Sequence, residues 1–335
     1  MSFFNKQTIG LELPLLNSAS PWASSREDLE ELWRCEFTQA ITTRTSTLEG
    51  YPDDPRKHQV AFFGQKSAIN SFGFSPHPLS QYLDWLRAIL SGYQVERTQK
   101  TIIISIGASQ ESELDEMLAL VAAFAHELGV CLGVEFNASC PNLNGSPPPA
   151  YVPSLLESYL QVFSRYASRN LQIGIKLPPY TYEEQLVSVV RTIAKVSMAV
   201  PGSEPIVSFL TSTNTLGQGL VFASQIVEPA DSETDSIAQR RKPEGAEFGV
   251  PTGYGGLSGE AIHQISLGNV HRLRHLLDNS EDPRVRSIRL IGVGGVCDAA
   301  SAARFRRAGA DAVAVATALG REGVSVFERI RKEAV

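Results

Sequence analysis

Eight short runs of apolar and β-branched residues recur along the chain, with longer helical patterns between most of them. The candidate strands are 39–43, 67–70, 101–106, 132–137, 171–176, 205–210, 288–293 and 312–316. The helical segment 111–128 carries its acidic residues early, where the helix dipole stabilises negative charge, and 182–196 and 298–308 are similar. Strands that alternate with helices predict βαβ units and therefore a parallel sheet.

Eight parallel strands within 335 residues favour an α/β fold of the (β/α)8 TIM barrel type, with the whole chain 1–335 as one domain. An open doubly wound sheet is the alternative, but the first strand-to-helix turn lacks the GxGxxG fingerprint that such folds use for dinucleotides. Segment 228–251 is charged and rich in Pro, Gly and Ser. We expect it to be a long exposed loop whose composition also suits disorder.

The composition excludes several classes of function. A net charge of −6 argues against nucleic acid or an anionic membrane surface as the main partner. The four cysteines, at 35, 131, 140 and 297, fit neither a zinc pattern nor a disulfide framework, so we expect thiols in a reducing compartment and no metal site. Because there is no signal-peptide core and no run of about 18 apolar residues, we expect a cytoplasmic protein without a membrane partner.

Polar residues collect where the candidate strands end, which is the face on which a barrel carries its active site. Segment 135–145 is the clearest case, since it opens from a strand into a loop with three Asn, one Ser, one Cys and one Pro. Asn amides both donate and accept hydrogen bonds, which suits the edges of a flat polar heterocycle. Cys140 would act as a base if its thiol lost its proton, whereas the other cysteines are more simply small buried hydrophobes.

Two further features suggest a bound cofactor. Lys176 ends a buried strand, where it either reaches solvent or, as we favour, faces a developing negative charge such as a reduced flavin. The turns 291–296 and 314–319 follow the last two strands, which is the usual phosphate site of a barrel. Each turn alone is ordinary, but the pair favours phosphate binding. The glycine-rich run 253–259 either approaches a cofactor or forms a flexible loop.

Six motifs occur in one order along the chain. They are NASCPN at 137–142, KLPPY at 176–180, NTLGQGL at 214–220, GGLSG at 255–259, GG at 294–295 and TAL at 317–319. In these motifs the chain resembles the class 1 dihydroorotate dehydrogenases, and among them the soluble, fumarate-using class 1A type. The resemblance covers nearly the whole chain, and the NxSCPN motif is its most specific part.

This resemblance implies an FMN-bound barrel with the flavin at the C-terminal face of the strands, usually in a homodimer. It implies oxidation of dihydroorotate to orotate in pyrimidine biosynthesis, with fumarate as the electron acceptor. Cys140 would take a proton from C5 of the substrate, the hydride from C6 would go to N5 of FMN, and Lys176 would lie near the flavin. The substrate-binding positions implied by the resemblance are Arg44, Asn70, Asn137, Asn142, Asn214 and Thr215. The cofactor-binding positions implied are Ala19, Ser20, Arg44, Asn137, Lys176, Gly256, Gly294, Gly295, Ala316 and Thr317.

Several of these positions depart from the family pattern. Ser20 stands where the family has Gly, Arg44 where it has Lys, Thr215 where it usually has Ser, and Ala316 where Gly is common. An Arg in place of Lys changes both shape and hydrogen bonding. The alternative is therefore a divergent FMN oxidoreductase that acts on a C–C bond next to a carbonyl in another metabolite. A barrel that binds a ligand without catalysis is a third hypothesis, which Cys140 and Lys176 disfavour.

Overall fold

The computed structural model describes residues 13–92, 100–142, 147–168, 170–202, 204–227 and 245–334. The strands in these residues are β1 (Leu15–Asn17), β2 (Ala40–Thr42), β3 (Val60–Phe63), β4 (Ser67–Asn70), β5 (Thr101–Ile106), β6 (Leu132–Asn137), β7 (Leu171–Leu177), β8 (Phe209–Ser212), β9 (Leu216–Leu220), β10 (Tyr254–Gly259), β11 (Arg289–Val293) and β12 (Ala312–Val315). The helices are α1 (Arg26–Arg34), α2 (Leu79–Gly92), α3 (Glu111–Leu128), α4 (Pro153–Phe163), α5 (Glu183–Ala199), α6 (His263–Asp278), α7 (Pro283–Arg286), α8 (Ala299–Ala308), α9 (Thr317–Glu322) and α10 (Ser325–Glu333).

Eight of the strands form a closed parallel barrel in the order β1-β2-β5-β6-β7-β8-β11-β12, with β12 pairing back onto β1. The predicted (β/α)8 barrel is thereby confirmed. Alternation along each strand sends side chains either outward to the helices or inward. In β6, Val134 and Phe136 belong to the outer core, whereas Glu135 and Asn137 bond to side chains of other barrel strands and loops. A small apolar cluster that includes Leu16, Phe209 and Ile291 fills the barrel interior.

A second sheet, antiparallel and in the order β3-β4-β10-β9, is inserted into the barrel chain. Its first two strands lie between β2 and α2, and its last two lie between β8 and α6. Asn70 on β4 and Ser258 on β10 line the same cavity as Asn137 and Lys176, so this sheet lies beside the C-terminal ends of the barrel strands. The sheet therefore forms part of the wall of the candidate site.

The assignment of strands needs three corrections. The strand predicted at 205–210 is β8, which begins at Phe209 and so shares two residues with the prediction. The run 67–70, predicted as one of the eight strands, is β4 of the antiparallel sheet, because a four-residue apolar run does not specify which neighbour it pairs with. The true first barrel strand is β1, which the sequence analysis missed. With three residues, β1 is shorter than the usual strand and gives little periodic signal.

The helix ends follow local sequence signals. Helix α8 begins with a capping box in which the Asp298 side chain accepts from the Ser301 backbone N–H, and it ends at Gly309 with φ of 104°. Helix α3 covers the same residues as predicted and ends at Gly129, also in the left-handed region. Of the predicted loop 228–251, residues 228–244 lie outside the described residues, while Gly249 pairs with Val221 and Val250 is buried. None of the described helices combines the length and apolar character needed to cross a membrane.

Candidate active site

A cavity opens where the barrel strands end and the antiparallel sheet meets them, enclosing about 1250 Å3 together with its open mouth. All but one of the predicted site residues line it: Ala19, Ser20, Arg44, Asn70, Asn137, Cys140, Asn142, Lys176, Asn214, Thr215, Gly294, Gly295, Ala316 and Thr317. Gly256 is the exception among the described residues. It lies behind Thr215, whose Oγ1 would be 2.2 Å from a Cβ at this position, and its carbonyl accepts from Asn70 Nδ2 at 3.2 Å. Gly256 therefore gives close packing of the wall rather than direct contact with the cavity.

Two asparagines that follow different barrel strands are joined by their side chains. Asn137, at the end of β6, donates through Nδ2 to Thr45 Oγ1 at 3.0 Å. Its Oδ1 accepts from Asn214 Nδ2 at 3.1 Å and from the Ser139 hydroxyl at 3.2 Å. Asn214 Nδ2 also donates to Ser139 Oγ at 3.0 Å. Because these amides hold each other, they present a fixed set of donors and acceptors to the cavity.

The other two predicted asparagines connect the loop after β6 to the antiparallel sheet. Asn142 Nδ2 donates to the carbonyl of Phe72 at 2.8 Å and lies 3.3 Å from Asn70 Oδ1. Asn70 is in β4, so the loop that carries Cys140 is tied to the inserted sheet. The barrel and the sheet thus close around one site, with an asparagine from each at the contact.

Cys140 lies in the wall of this cavity and is 8% exposed. Burial raises the pKa of its thiol to about 11, because the thiolate loses hydration. The backbone N–H of Asn142 and the positive charges of Lys176 and Arg44 act in the opposite direction. The thiol is therefore placed where nearby cations favour its ionised form, although burial still dominates.

Lys176 is buried at the end of β7, with 4% of its surface exposed. Its ammonium donates to Ser18 Oγ at 3.0 Å and to the carbonyl of Ala19 at 3.3 Å, both in the loop after β1. Burial lowers the pKa of Lys176, while the negative charges of Glu135 and of a Cys140 thiolate raise it. The side chain faces the cavity rather than solvent, as predicted.

Arg44, which follows β2, is engaged mainly by the protein itself. One terminal nitrogen donates to Ser24 Oγ at 3.2 Å, and the other donates to the carbonyl of Phe74 at 3.1 Å. The guanidinium also lies 5.2 Å from the centre of the Phe72 ring, within cation–π range. Burial lowers its pKa. Arg44 therefore links the segment after the first barrel strand to the segment after β4.

The residues present fit the cofactor that the resemblance implies. The Gly294–Gly295 turn, with φ of 128° and 74°, follows β11, and Thr317 follows β12 at the same end of the cavity wall. Glycine at such φ values lets backbone groups approach an anion. In the wall of the same cavity, the buried Ser20 Oγ and Trp22 Nε1 have no hydrogen-bond partner in the described part of the chain. An extended polar ligand with one anionic end, such as FMN, suits these groups.

Several residues at the site were not singled out from the sequence. Ser18 holds Lys176, and Thr45 and Ser139 hold Asn137. Ser and Thr are common in loops, so their presence in the sequence gives no signal. Only their contacts with side chains of other strands show that they belong to the site. Glu135 is different, because a carboxylate within an apolar strand was visible in the sequence as an exception to the pattern.

Fold and site together define a class of protein: a (β/α)8-barrel enzyme with a polar cleft at the strand ends, built around a buried thiol and a buried ammonium. The family model described as dihydroorotate dehydrogenase matches residues 9–334. The chain therefore belongs to the dihydroorotate dehydrogenase family, a family of oxidoreductases, and the resemblance seen in the motifs is confirmed.

Individual relatives agree with this family. A Trypanosoma cruzi protein named dihydroorotate dehydrogenase (fumarate) is 31% identical over 323 residues, which is 96% of this chain and 88% of the relative. A Streptococcus equi protein, provisionally named dihydroorotate dehydrogenase A (fumarate), is 30% identical over 95% of this chain and 87% of the relative. A Streptococcus pyogenes serotype M1 protein with the same provisional name is 29% identical over the same shares.

Proposed function

We propose that the protein oxidises (S)-dihydroorotate to orotate with FMN as its cofactor and fumarate as the final electron acceptor. The observation that carries this proposal is the meeting of the Cys140 thiol, the Lys176 ammonium and four asparagine amides in one cavity. Relatives that match almost the whole chain are named for the same fumarate-linked activity.

The asparagines supply the binding chemistry. The dihydroorotate ring carries N–H and C=O groups around its edge, and these need partners of both kinds. Asn214 Nδ2 donates to Asn137 Oδ1, and the pair keeps one Nδ2 hydrogen on Asn137 and one acceptor lone pair on Asn214 Oδ1 for a ligand. Asn142 and Asn70 do the same from the side of the inserted sheet. A flat ring held by its edges fits such a set better than an aliphatic substrate does.

Cys140 supplies the base. Its thiolate takes the proton from C5, and a C5=C6 double bond forms as the hydride leaves C6. FMN, when bound, supplies the acceptor for that hydride. Lys176 holds a positive charge at the cavity wall, which stabilises the negative charge that the two electrons bring. Burial of the thiol excludes water from the proton that moves.

Anaerobic mixing with dihydroorotate tests this proposal. The FMN-loaded protein should lose its visible flavin absorbance on addition of dihydroorotate and regain it on addition of fumarate. A flavin that stays oxidised with dihydroorotate, yet is bleached by dithionite, would rule out this substrate and favour the divergent oxidoreductase. The observation that favours this alternative is Arg44, which stands where the family has Lys and is hydrogen-bonded to Ser24 and Phe74. A protein that takes up no FMN would contradict both.

A further inference from the structure

A carboxylate lies inside the barrel, beneath the candidate site. Glu135, in β6, is 2% exposed, and the same interior holds the apolar cluster that includes Leu16, Phe209 and Ile291. Its Oε1 accepts from Ser105 Oγ at 3.2 Å, and its Oε2 accepts from Thr211 Oγ1 at 2.7 Å. Taking a carboxylate out of water is costly, so a buried one needs compensating contacts. Both oxygens of Glu135 accept hydrogen bonds, as an ionised carboxylate does.

The Ser105 contact continues as a chain towards the cavity. Ser105 Oγ lies 2.9 Å from Thr45 Oγ1, which in turn accepts from Asn137 Nδ2 at 3.0 Å. Each hydroxyl has a single proton to donate. Since the Ser105 proton goes to the carboxylate, the Thr45 proton must go to Ser105. Thr45 can then only accept from Asn137, so every donor in the chain is directed towards Glu135.

This direction gives the Asn137 NH2 group a fixed acceptor in Thr45. It agrees with the opposite end of the amide, where Oδ1 accepts from Asn214 Nδ2, from the Ser139 hydroxyl and from the Ser139 backbone N–H. Asn214 Oδ1 accepts from the Thr215 backbone N–H at 2.8 Å, which fixes its amide as well. A glutamine at 135 could donate to Ser105 as well as accept from it, so the hydroxyl protons of Ser105 and Thr45 would no longer have one fixed direction.

Glu135 also bears on Lys176. In the parallel pairing of β6 and β7, Glu135 lies opposite Gly174, and Asn137 lies opposite Lys176 itself. On the inward face of the barrel, the backbone position of Glu135 is therefore two residues below that of Lys176. The charged groups that act on Lys176 are Glu135 and Cys140, while its direct partners Ser18 and Ala19 are neutral. Among these groups of the described structure, Glu135 is the one carboxyl group, whereas Cys140 is a thiol whose pKa burial raises.

We propose that Glu135 is a positioning residue, which fixes the direction of hydrogen bonding to the Asn137 amide through Ser105 and Thr45 and supplies the counter-charge for Lys176. The inference rests on the proposed function, because it takes FMN and an orotate-like ring as the ligands. It assigns two separable effects to one side chain: a direction of hydrogen bonding and a charge. Two variants separate them, since Glu135→Gln removes the charge, while Ser105→Ala interrupts the chain and leaves the carboxylate in place.

The charge is tested by the visible spectrum of bound, oxidised FMN as a function of pH, which needs no substrate. Without its counter-charge, Lys176 should lose its proton about one to three pH units lower in Glu135→Gln than in the wild type. Lys176 in Ser105→Ala should titrate like Lys176 in the wild type.

The hydrogen-bond chain is tested by the affinity for orotate, measured from the change that orotate causes in the flavin spectrum. Both variants should bind orotate about tenfold more weakly or worse, because either one leaves the Asn137 NH2 group without a fixed acceptor.

Wild-type titration and wild-type orotate affinity in a folded Glu135→Gln protein would overturn the inference. If Glu135→Gln does not fold, Ser105→Ala with unchanged orotate affinity overturns the hydrogen-bond chain by itself. Failure of the proposed function looks different: wild-type protein would take up FMN but show no response to dihydroorotate or orotate. In that case the FMN titration still decides whether Glu135 sets the charge state of Lys176.

Discussion

At the scale of single residues, the surroundings of Cys140 favour the protonated thiol. Burial raises its pKa to about 11, so the thiolate fraction increases as the pH rises towards that value. We therefore expect flavin reduction by dihydroorotate to become faster with pH across the neutral range. Cys140→Ser should slow the reaction and shift its optimum to higher pH, because a hydroxyl is harder to deprotonate than a thiol. Anaerobic stopped-flow measurements over a pH series would show both effects.

Cys131→Ser is the matched control for this substitution. Cys131 precedes β6, at the opposite end of the strand from the loop that holds Cys140, and it does not line the cavity among the described residues. The rate and the pH profile of Cys131→Ser should match those of the wild type. Equal rates in Cys140→Ser and the wild type would remove Cys140 from the mechanism.

Arg44 shows what the exchange of the family's Lys for Arg does to the structure. Its guanidinium donates in two directions, to Ser24 and to the carbonyls of Phe74 and Gly73. A lysine keeps the charge but cannot make this fork, so Arg44→Lys should lower the free energy of unfolding by about 1–3 kcal/mol. Urea unfolding measures the loss. Arg56→Lys, at an exposed arginine, is the control and should change little; equal effects would show that the buried fork adds nothing.

At the scale of elements, the start of α8 joins the barrel to the inserted sheet. Asp298 caps this helix through Ser301, and its Oδ2 accepts from Lys66 at 3.0 Å, in the turn between β3 and β4. Burial alone would raise the pKa of Asp298, but the hydrogen bonds from Ser301 and Lys66 hold it well below its ordinary value. Because the pKa of Asp298 is lower in the folded than in the unfolded protein, its carboxylate stabilises the fold at pH values above the unfolded pKa. This stabilisation is lost as the pH falls towards the folded pKa.

The expected consequence is acid sensitivity at this element. The free energy of unfolding should fall as the pH drops below about 4, where an unfolded Asp begins to bind its proton. Asp298→Asn should make this dependence shallower, and Lys66→Gln should do so in part, because it leaves the helix cap in place. Urea unfolding over a pH series gives the slopes. Identical slopes in all three proteins would contradict the role of Asp298.

The strands and helices also show how much of the structure sequence patterns can predict. Segments such as 101–106 and 132–137 were predicted with their observed bounds, because short runs in which apolar residues predominate are typical of buried parallel strands. Strand β4 was assigned to the wrong sheet, since pairing depends on which neighbour is near in space. At the site, Asn137 and Lys176 were predictable from their place at strand ends. Their partners Thr45 and Ser18 were not, because those contacts depend on the register between strands and loops.

At the scale of the whole molecule, closure of the barrel depends on the contact between two strands of three residues each, β1 and β2. Strand β1 pairs with β12 over three residues but with β2 at one position, Leu16 opposite Ala40. The side chain of Asn17 completes the second contact. Its Oδ1 accepts from the Thr42 backbone N–H at 2.8 Å, and its Nδ2 donates to the Thr42 carbonyl at 2.6 Å. An amide side chain here does what a peptide group does elsewhere in the barrel.

Asn17→Ala should therefore loosen this seam. It leaves two buried backbone groups of Thr42 without partners, which should lower the free energy of unfolding by about 2–5 kcal/mol. Hydrogen exchange should quicken at 15–17 and 40–43 before it does so elsewhere. Asn269→Ala is the control, because Asn269 makes the same pair of bonds to Tyr180 away from the β1–β2 seam. If both variants exchange in the same pattern, the β1–β2 contact is not the point at which the barrel opens.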